Sequence, residues 1–401
     1  MLVVKKFGGS SVADKEKIFN VAGRCIEEWQ KGNDVVVVLS AMGKTTDKLI
    51  AQAKDINPNL PKREMDMLYT IGEQQSVALM AMAMNALGVP AISLNAFQVP
   101  IHTTARNGDA RITKVNTERI RHELDSRKIV VITGFQGVNK YDDYTTLGRG
   151  GSDTTAVAIA AALHADACEI YTDVEGVFTS DPRVVPNAKK LDEITYDEML
   201  ELASLGAKVL HNRSVELAKK HNIVLVVRSS LSEAEGTIVK ERIGKDMLIS
   251  GVAVDEHVAR ISVVGLPDIP GVAFSLCQTL SVENINIDMI IQSVGRDGKK
   301  DISFTLADGD LALALKLIDG AKDRLQFERV ESEERVAKVS IVGAGMKSAA
   351  GVATDMFECL YNEGININMI TTSEIRISVL IDIQYAKKAV NAIHNAFSLG
   401  E

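Results

Sequence analysis

At 401 residues the chain is too long for one ordinary hydrophobic core, so two or three domains are expected. Its 46% hydrophobic and 24% charged residues are those of a globular protein, a net charge of −8 argues against a nucleic-acid surface, and no stretch reaches the roughly 18 apolar residues of a membrane span. Residues 1–9 lack the apolar length of a secretion signal, and Cys25, Cys168, Cys277 and Cys359, scattered without a CxxC pair, read as buried reduced thiols of a cytoplasmic protein.

The chain opens on Leu2-Val3-Val4, a short buried-strand pattern, followed by Lys5-Lys6-Phe7-Gly8-Gly9-Ser10-Ser11. An amphipathic helix is expected over 14–30, stopping at Lys31-Gly32. Lys6 would end its strand beside two glycines, where an ammonium can meet transferring phosphate oxygens; a solvated lysine is the plainer alternative. Val35-Val36-Val37-Val38-Leu39 is a continuous apolar run, as parallel strands covered on both faces require. Ligands of open α/β sheets bind beyond the carboxyl ends of the strands, so the hydroxyls of Ser40, Thr45 and Thr46 fall where a substrate belongs.

A helical pattern covers 64–87 and is interrupted around Gly72-Glu73-Gln74-Gln75-Ser76. Met65, Met67, Met80, Met82 and Met84 read as core filler. Glu73, in apolar surroundings, needs a partner: a ligand ammonium or a structural arginine. After a buried strand at 129–133 comes Thr145-Thr146-Leu147-Gly148-Arg149-Gly150-Gly151-Ser152-Asp153, with an alanine-rich helix at 156–165 that Ser152 or Asp153 would cap. A glycine-rich turn emptying into a helix N-terminus gathers free N–H groups and the positive end of the helix dipole, a ready anion site. Arg149 can grip a carboxylate through two parallel hydrogen bonds and Asp153 suits an ammonium or a metal ion, which together suggest an amino-acid ligand. Neither a Walker loop nor Gly-x-Gly-x-x-Gly is present.

Farther on, a strand delivers Thr172 and Asp173 to its end, Asp181-Pro182 makes a turn, a helix is expected to carry Ala207-Lys208-Val209-Leu210-His211, and 225–228 reads as a late strand. Strands alternating with helices indicate an α/β fold with a mostly parallel sheet between helices. A linker is expected at 232–246, closing a first domain at 231. Beyond it Ile261-Ser262-Val263-Val264-Gly265 parallels Val339-Ser340-Ile341-Val342-Gly343, and Ile285-Asn286-Ile287-Asp288-Met289-Ile290 parallels Ile365-Asn366-Ile367-Asn368-Met369-Ile370. The repeat defines two ferredoxin-like βαββαβ modules, 247–335 and 336–401. The second copy's turn, Lys347-Ser348-Ala349-Ala350, lacks the Asp and Pro of Asp268-Ile269-Pro270. The pair could serve regulation or only dimerisation.

Four motifs in register, Lys6 to Ser11, Gly148 to Asp153, Thr172 to Val177 and Ala207 to Leu210, resemble those of the bacterial aspartate kinases in the amino-acid kinase family, and the repeat is similar to a tandem pair of ACT domains. The resemblance implies transfer of the γ-phosphoryl group of MgATP to the side-chain carboxylate of L-aspartate, giving 4-phospho-L-aspartate for lysine, threonine and methionine biosynthesis. It implies that Lys6, Asp153 and Lys208 are catalytic. Ser40, Thr45, Glu73, Arg149 and Ser152 would bind the substrate. Lys6, Phe7, Gly8, Gly9, Ser10, Thr172, Asp173, Asp181, Arg183, Lys208 and Val209 would meet the nucleotide. Lysine, threonine or both would act as effectors, at Asp268, Gly271, Val272, Ala273, Asn286, Ile287, Asp288 and Gln292 in the first module and Ala353, Thr354, Asn366, Ile367, Ser373, Glu374 and Ile375 in the second. The family's modules can interleave, which would lend 247–254 to the second copy, and a homo-oligomer through the ACT domains is expected, with Met247 a candidate internal start for a shorter regulatory chain. The competing readings are a non-catalytic amino-acid sensor and another acyl-phosphate-forming kinase of the same fold.

Overall fold

The computed structural model describes residues 1–205, 209–244 and 247–400. They fall into two compact units, one holding Met1–Val177, Lys190–Ala203 and 209–244, the other Phe178–Lys189, 204–205 and 247–400. Among the described residues no helix is long and apolar enough to cross a membrane.

The first unit is built on an eight-stranded sheet in the order Glu193–Thr195, Thr237–Lys240, Leu225–Ser229, Ala167–Thr172, Leu2–Phe7, Asp34–Leu39, Ile129–Thr133, Ala91–Leu94. Neighbours run parallel except Leu225–Ser229 with Thr237–Lys240. Val35 to Leu39 are all fully buried, each contributing about 1.5–3 kcal/mol of hydrophobic stabilisation. The register aligns Phe7 with Leu39 and Tyr171, and Leu39 with Thr133, so the central strands end together and release Gly8, Ser40, Gly134 and Thr172 along one edge. The helix Lys15–Gln30 starts at Asp14, whose side chain accepts from the Lys17 amide, and buries Ile18, Val21, Ala22, Cys25 and Ile26 at helical spacing.

The helix Lys62–Ala86 runs unbroken through the glycine expected to interrupt it. A Cβ on Gly72 would stand 2.7 Å from the Ala41 Cβ, so the glycine serves close approach to the loop after Asp34–Leu39. Met65, Met80 and Met84 are core residues, but Met67 and Met82 are 50% and 64% exposed, because the methionines are spread around the helix. The alanine-rich helix spans Gly151–Leu163, beginning earlier than expected: Gly150 is its N-cap at φ +67°, and Ser152 and Asp153 lie inside the first turn without capping it. A small four-stranded sheet, in the order Ile112–Val115, Ile101–Thr103, Gln136–Val138, Tyr144–Thr146, leads into that glycine loop.

Two expectations change near the end of this unit. The helices are Tyr196–Ser204 and Asn212–His221; Lys208 lies outside the described residues, and His211 is an N-cap, not a helical residue. The stretch expected as a linker contributes the strand Thr237–Lys240, in which fully buried Thr237 accepts from the Val177 amide at 2.8 Å and donates to the Leu191 carbonyl at 2.6 Å.

The second unit is a six-stranded sheet in the order Ile287–Gln292, Lys299–Ala307, Gly251–Pro267, Arg329–Val342, Arg376–Asp382, Met369–Thr372, antiparallel throughout. The long strand Gly251–Pro267 serves both repeats. Gly251 to Val254 pair with Val342 to Val339 of the second copy, whereas Ile261 to Val263 pair with Phe304 to Ile302 of the first. Helices Val272–Ser281 and Leu311–Gly320 cover the first copy's core, Val352–Asn362 and Ala386–Ala396 the second's. Phe178–Lys189 packs into the second copy's core through Val184, Val185 and Ala188. Its Thr179 carbonyl accepts from the Val252 amide, its Thr179 Oγ1 lies 2.9 Å from His394 Nε2, and Asn391 donates to the Val184 carbonyl.

Candidate active site

The aligned strand ends of the first unit open onto a cavity of about 430 Å³. Its walls are Lys6, Gly8 and Gly9 from the first turn, Ser40, Ala41, Gly43 and Thr46 from the second, Glu73 from the long helix, Phe135, and Gly148 to Asp153. A larger hollow of about 660 Å³ is lined by Lys219, Asn222, Val224, Lys240, Glu241 and Arg242. There Lys219 is already paired with Asp197 and Lys240 with Glu193, whereas the smaller cavity gathers charge the fold leaves incomplete.

Lys6 Nζ lies 2.5 Å from Asp153 Oδ1, an ion pair in the cavity wall. Glu73 is 4% exposed; one carboxylate oxygen accepts from the Ala41 amide at 3.2 Å, and the other, Oε2, has no partner. Burial pushes its pKa up to about 7. A buried carboxylate oxygen left open beside a cavity is completed by a cationic ligand. Ser40 Oγ donates to Ser152 Oγ at 2.9 Å, joining two turns of the wall. Gly150 allows the loop its sharp left-handed turn, since a Cβ would also collide with the His211 side chain at 2.3 Å. The first turn of Gly151–Leu163 lines the cavity, bringing the positive helix end there, and exposed Arg149 stands on its rim.

The strand that delivers Lys6 is fixed from its other face. Lys5 lies 2.5 Å from Glu169, which also accepts from the Tyr171 hydroxyl at 2.9 Å. Burial alone would lower the Lys5 pKa, but Glu169 outweighs it and holds the ammonium above its ordinary value; burial and Glu169 push Tyr171 up to about 12.

Lys6, Gly8, Gly9, Ser40, Glu73, Arg149, Ser152 and Asp153 therefore share one cavity wall. Lys208 lies outside the described residues, and the other expected residues do not line it. Thr45 begins the helix Thr45–Ile56, and its neighbour Thr46 takes the place in the wall. Phe7 is a core residue, fully buried and stacked on Tyr171 at 4.3 Å, so only its backbone could meet a ligand. Ser10 is exposed in a short 3-10 turn, and Thr172, the last residue of its strand, donates to Asp173 at 3.0 Å. Asp181 and Arg183 pair with each other at 2.7 Å in the second unit, and Val209 lies in a turn.

In the repeats, Asp268 meets Lys300 at 3.0 Å, Gly271 caps the helix at φ +92°, and Val272 is committed to the core while Ala273 is exposed. Asn286, Ile287, Asp288 and Gln292 lie along or beside one edge strand, with Asp288 bonded to Lys338. In the second copy Ala353 and Ile367 pack against the core, Thr354 and Asn366 are exposed, and Glu374, between Ser373 and Ile375 in a turn, pairs with Lys347 at 2.7 Å.

Residues that sequence reasoning missed hold the walls. Gln136 accepts from Thr133 and donates to the Thr70 carbonyl at 2.7 Å, and Arg213 bridges Asp109 and the Leu147 carbonyl at 2.5 and 3.0 Å. They are single polar residues in unremarkable surroundings and carry no sequence signal. Among the described residues no group of three or more His, Cys, Asp or Glu side chains could hold a metal ion.

Comparison with known proteins identifies the family. The sequence profile of the amino acid kinase family matches residues 1–229, and that of the ACT domain matches 261–321 and 339–397. An aspartokinase from Bacillus sp. (strain MGA3) is 50% identical over 400 residues, spanning 99% of this chain and 97% of that protein. The crystal structure of E. coli aspartokinase III in complex with aspartate and ADP (R-state) superimposes with a TM-score of 0.83 at 28% identity, covering 99% of each chain. The same enzyme in complex with lysine and aspartate (T-state) gives 0.78 at 28% identity over the same shares.

Proposed function

The chain belongs to the amino acid kinase family, and we propose that its first unit binds L-aspartate and MgATP in the cavity at the strand ends and makes 4-phospho-L-aspartate. It is an ATP-dependent aspartate kinase by its 50% identity to aspartokinase over the whole chain. The observation that carries the site assignment is the convergence of Arg149, Glu73 and the Lys6–Asp153 pair on one cavity.

Each group has a task set by its charge. Arg149 takes the substrate α-carboxylate by a two-point contact. The open oxygen of Glu73 takes its α-ammonium, with the Asp153 carboxylate as the second negative group in the same wall. With both ends held, the side-chain carboxylate is presented to the nucleotide, its oxygen bonds to the γ-phosphorus, and the bond to the β,γ-bridging oxygen breaks, giving the acyl phosphate and ADP. No protein base is required, because the nucleophile is already an anion. Catalysis rests on alignment and on cations that offset repulsion between two anions. Lys6 supplies one such charge and Lys208, by resemblance, another. Gly8, Gly9 and the start of Gly151–Leu163 offer backbone N–H groups to phosphate oxygens.

Magnesium bound to the nucleotide would neutralise phosphate charge. It keeps several waters and requires only one or two protein carboxylates, which suits a cavity with Asp153 in its wall and no larger acidic cluster. Thr172, Asp173 and Val209 of the first unit are proposed nucleotide contacts, and by the resemblance so are Asp181 and Arg183, which belong to the second. Lysine, threonine or both are the proposed effectors at the ACT repeats, supported by the lysine complex of E. coli aspartokinase III. A cytoplasmic homo-oligomer is proposed, consistent with four free thiols, as is a shorter regulatory chain starting at Met247.

The test is hydroxylamine trapping of acyl phosphate with MgATP and L-aspartate, repeated with L-glutamate and with lysine, threonine or both. Signal with aspartate alone, suppressed by an effector, is expected. A folded protein that gave no signal with aspartate would overturn the assignment.

A further inference from the structure

We propose that Asp66 is a positioning residue that fixes the distance between the two ends of the amino-acid site, an assignment that rests on the aspartate-binding reading above. Asp66 is fully buried, yet among the described residues it has no cationic partner within ion-pair distance. Its carboxylate is occupied entirely by donors from the loops that build the Arg149 wall. Thr146 Oγ1 donates to Oδ1 at 2.5 Å, Asn107 Nδ2 to Oδ2 at 2.8 Å, and the Gly108 amide is shared between both oxygens at 3.1 and 3.0 Å.

Thr146 is gripped from its other side as well, because its carbonyl accepts from the Ala110 amide at 2.9 Å. Leu147 donates to the Phe135 carbonyl at 3.0 Å. The chain is therefore pinned immediately before it turns at Gly148 to present Arg149.

Asp66 and Glu73 lie seven positions apart on one continuous helix, two turns on the same face and about 10 Å along the axis. Glu73 faces the end where the ammonium is read. Asp66 holds the loop that carries the carboxylate reader. One rigid helix thus spaces both contacts of an α-amino acid, and the carboxylate at 66 joins the Arg149 loop to that ruler. An asparagine cannot keep all of these bonds: with its oxygen toward Asn107 Nδ2 and the Gly108 N–H its NH2 faces Thr146 Oγ1 and the bond Thr146 donates is lost, and turned the other way its NH2 faces Asn107 Nδ2.

The experiment uses the full chain and compares Asp66→Asn, Thr146→Val and Thr146→Ser with wild type, measuring KM for each substrate, kcat and Tm. Asp66→Asn and Thr146→Val are expected to raise KM for L-aspartate about tenfold or more while KM for ATP stays within about twofold, and Thr146→Ser to restore the wild-type value. A purely structural role would lower Tm and the active fraction without moving one KM selectively. Folded Asp66→Asn and Thr146→Val proteins with an unchanged KM for aspartate, or with both KM values raised alike, would overturn the proposal. Wild type assayed alongside separates the two ideas. A wild type inactive on aspartate removes the substrate reading and this assignment with it, whereas an active wild type with insensitive variants removes Asp66 alone.

Discussion

A sheltered lysine–aspartate pair occurs in each unit: Lys6 with Asp153 in the first, Lys338 with Asp288 in the second. Lys338 hydrogen-bonds its partner, and the strands around it pair their own hydroxyls, Ser340 with Ser378 at 2.7 Å and Ser262 with Ser303 at 2.8 Å. The Lys6 pair instead faces a cavity and has the open oxygen of Glu73 in the same wall. The same two residue types thus form a finished joint in one place and an unfinished one in the other. Charge that a fold leaves incomplete next to empty space marks the place where a ligand supplies the missing half.

The largest test of that contrast is Lys6→Ala, expected to lower kcat about 10³-fold with Tm near wild type; Lys338→Met should leave kcat without effectors within about twofold. A Lys6→Ala protein with wild-type turnover would remove the unfinished pair from the chemistry. Next, Arg149→Ala should lower kcat/KM for aspartate about 10²-fold, chiefly through KM, and leave KM for ATP nearly unchanged.

Smaller in size is the pH response of Glu73, whose carboxyl is pushed up to about 7 in the ligand-free protein. The substrate ammonium requires the ionised form, so KM for aspartate should rise about tenfold between pH 8 and pH 6. Glu73→Gln should raise KM at pH 8 and flatten that rise. For stability the sign is opposite. A carboxyl with a folded pKa above its unfolded value stabilises fully below the unfolded value and loses that contribution as pH rises through about 7, so Glu73→Gln should raise Tm at pH 8 and not at pH 4. The smallest effect is Lys338→Met, where a partner that is 34% exposed discounts the pair; a loss of about 1 kcal/mol is expected, read as a Tm lowered by a few degrees.

The parallel core was legible because strands covered on both faces must be apolar throughout, as Val35 to Leu39 are, and the repeat was legible because its motifs recur in order. Much of the cavity lining was legible for a different reason: Gly8, Gly9 and Ser40 follow apolar strand patterns, Gly148 to Asp153 make a glycine-rich turn into a helix, and the turns after parallel strands open along one edge of the sheet. Thr237–Lys240 was not, since four residues bounded by Glu235, Gly236 and Glu241 carry too little alternation to distinguish a strand from a linker. The small sheet was hidden in the same way by strands of three or four residues. Asp66 was invisible because its role depends on Gly108 and Thr146, distant in sequence and joined to it only by folding. Gly72 misled in the other direction, since the same absence of a side chain that breaks a helix also lets one come close to a neighbour.

The excursion of Phe178–Lys189 changes what counts as a separable piece. The chain leaves the first unit after Val177, buries Val185 in the second copy of the repeat and returns at Lys190, long before the covalent boundary near residue 244. A kinase fragment cut at that boundary would carry Val184 and Val185 as an apolar loop without its socket, and a chain begun at Met247 would have the socket without its plug. The 178–189 segment therefore belongs with the repeat whose core it fills, and a fragment boundary drawn from the covalent order alone would separate the two.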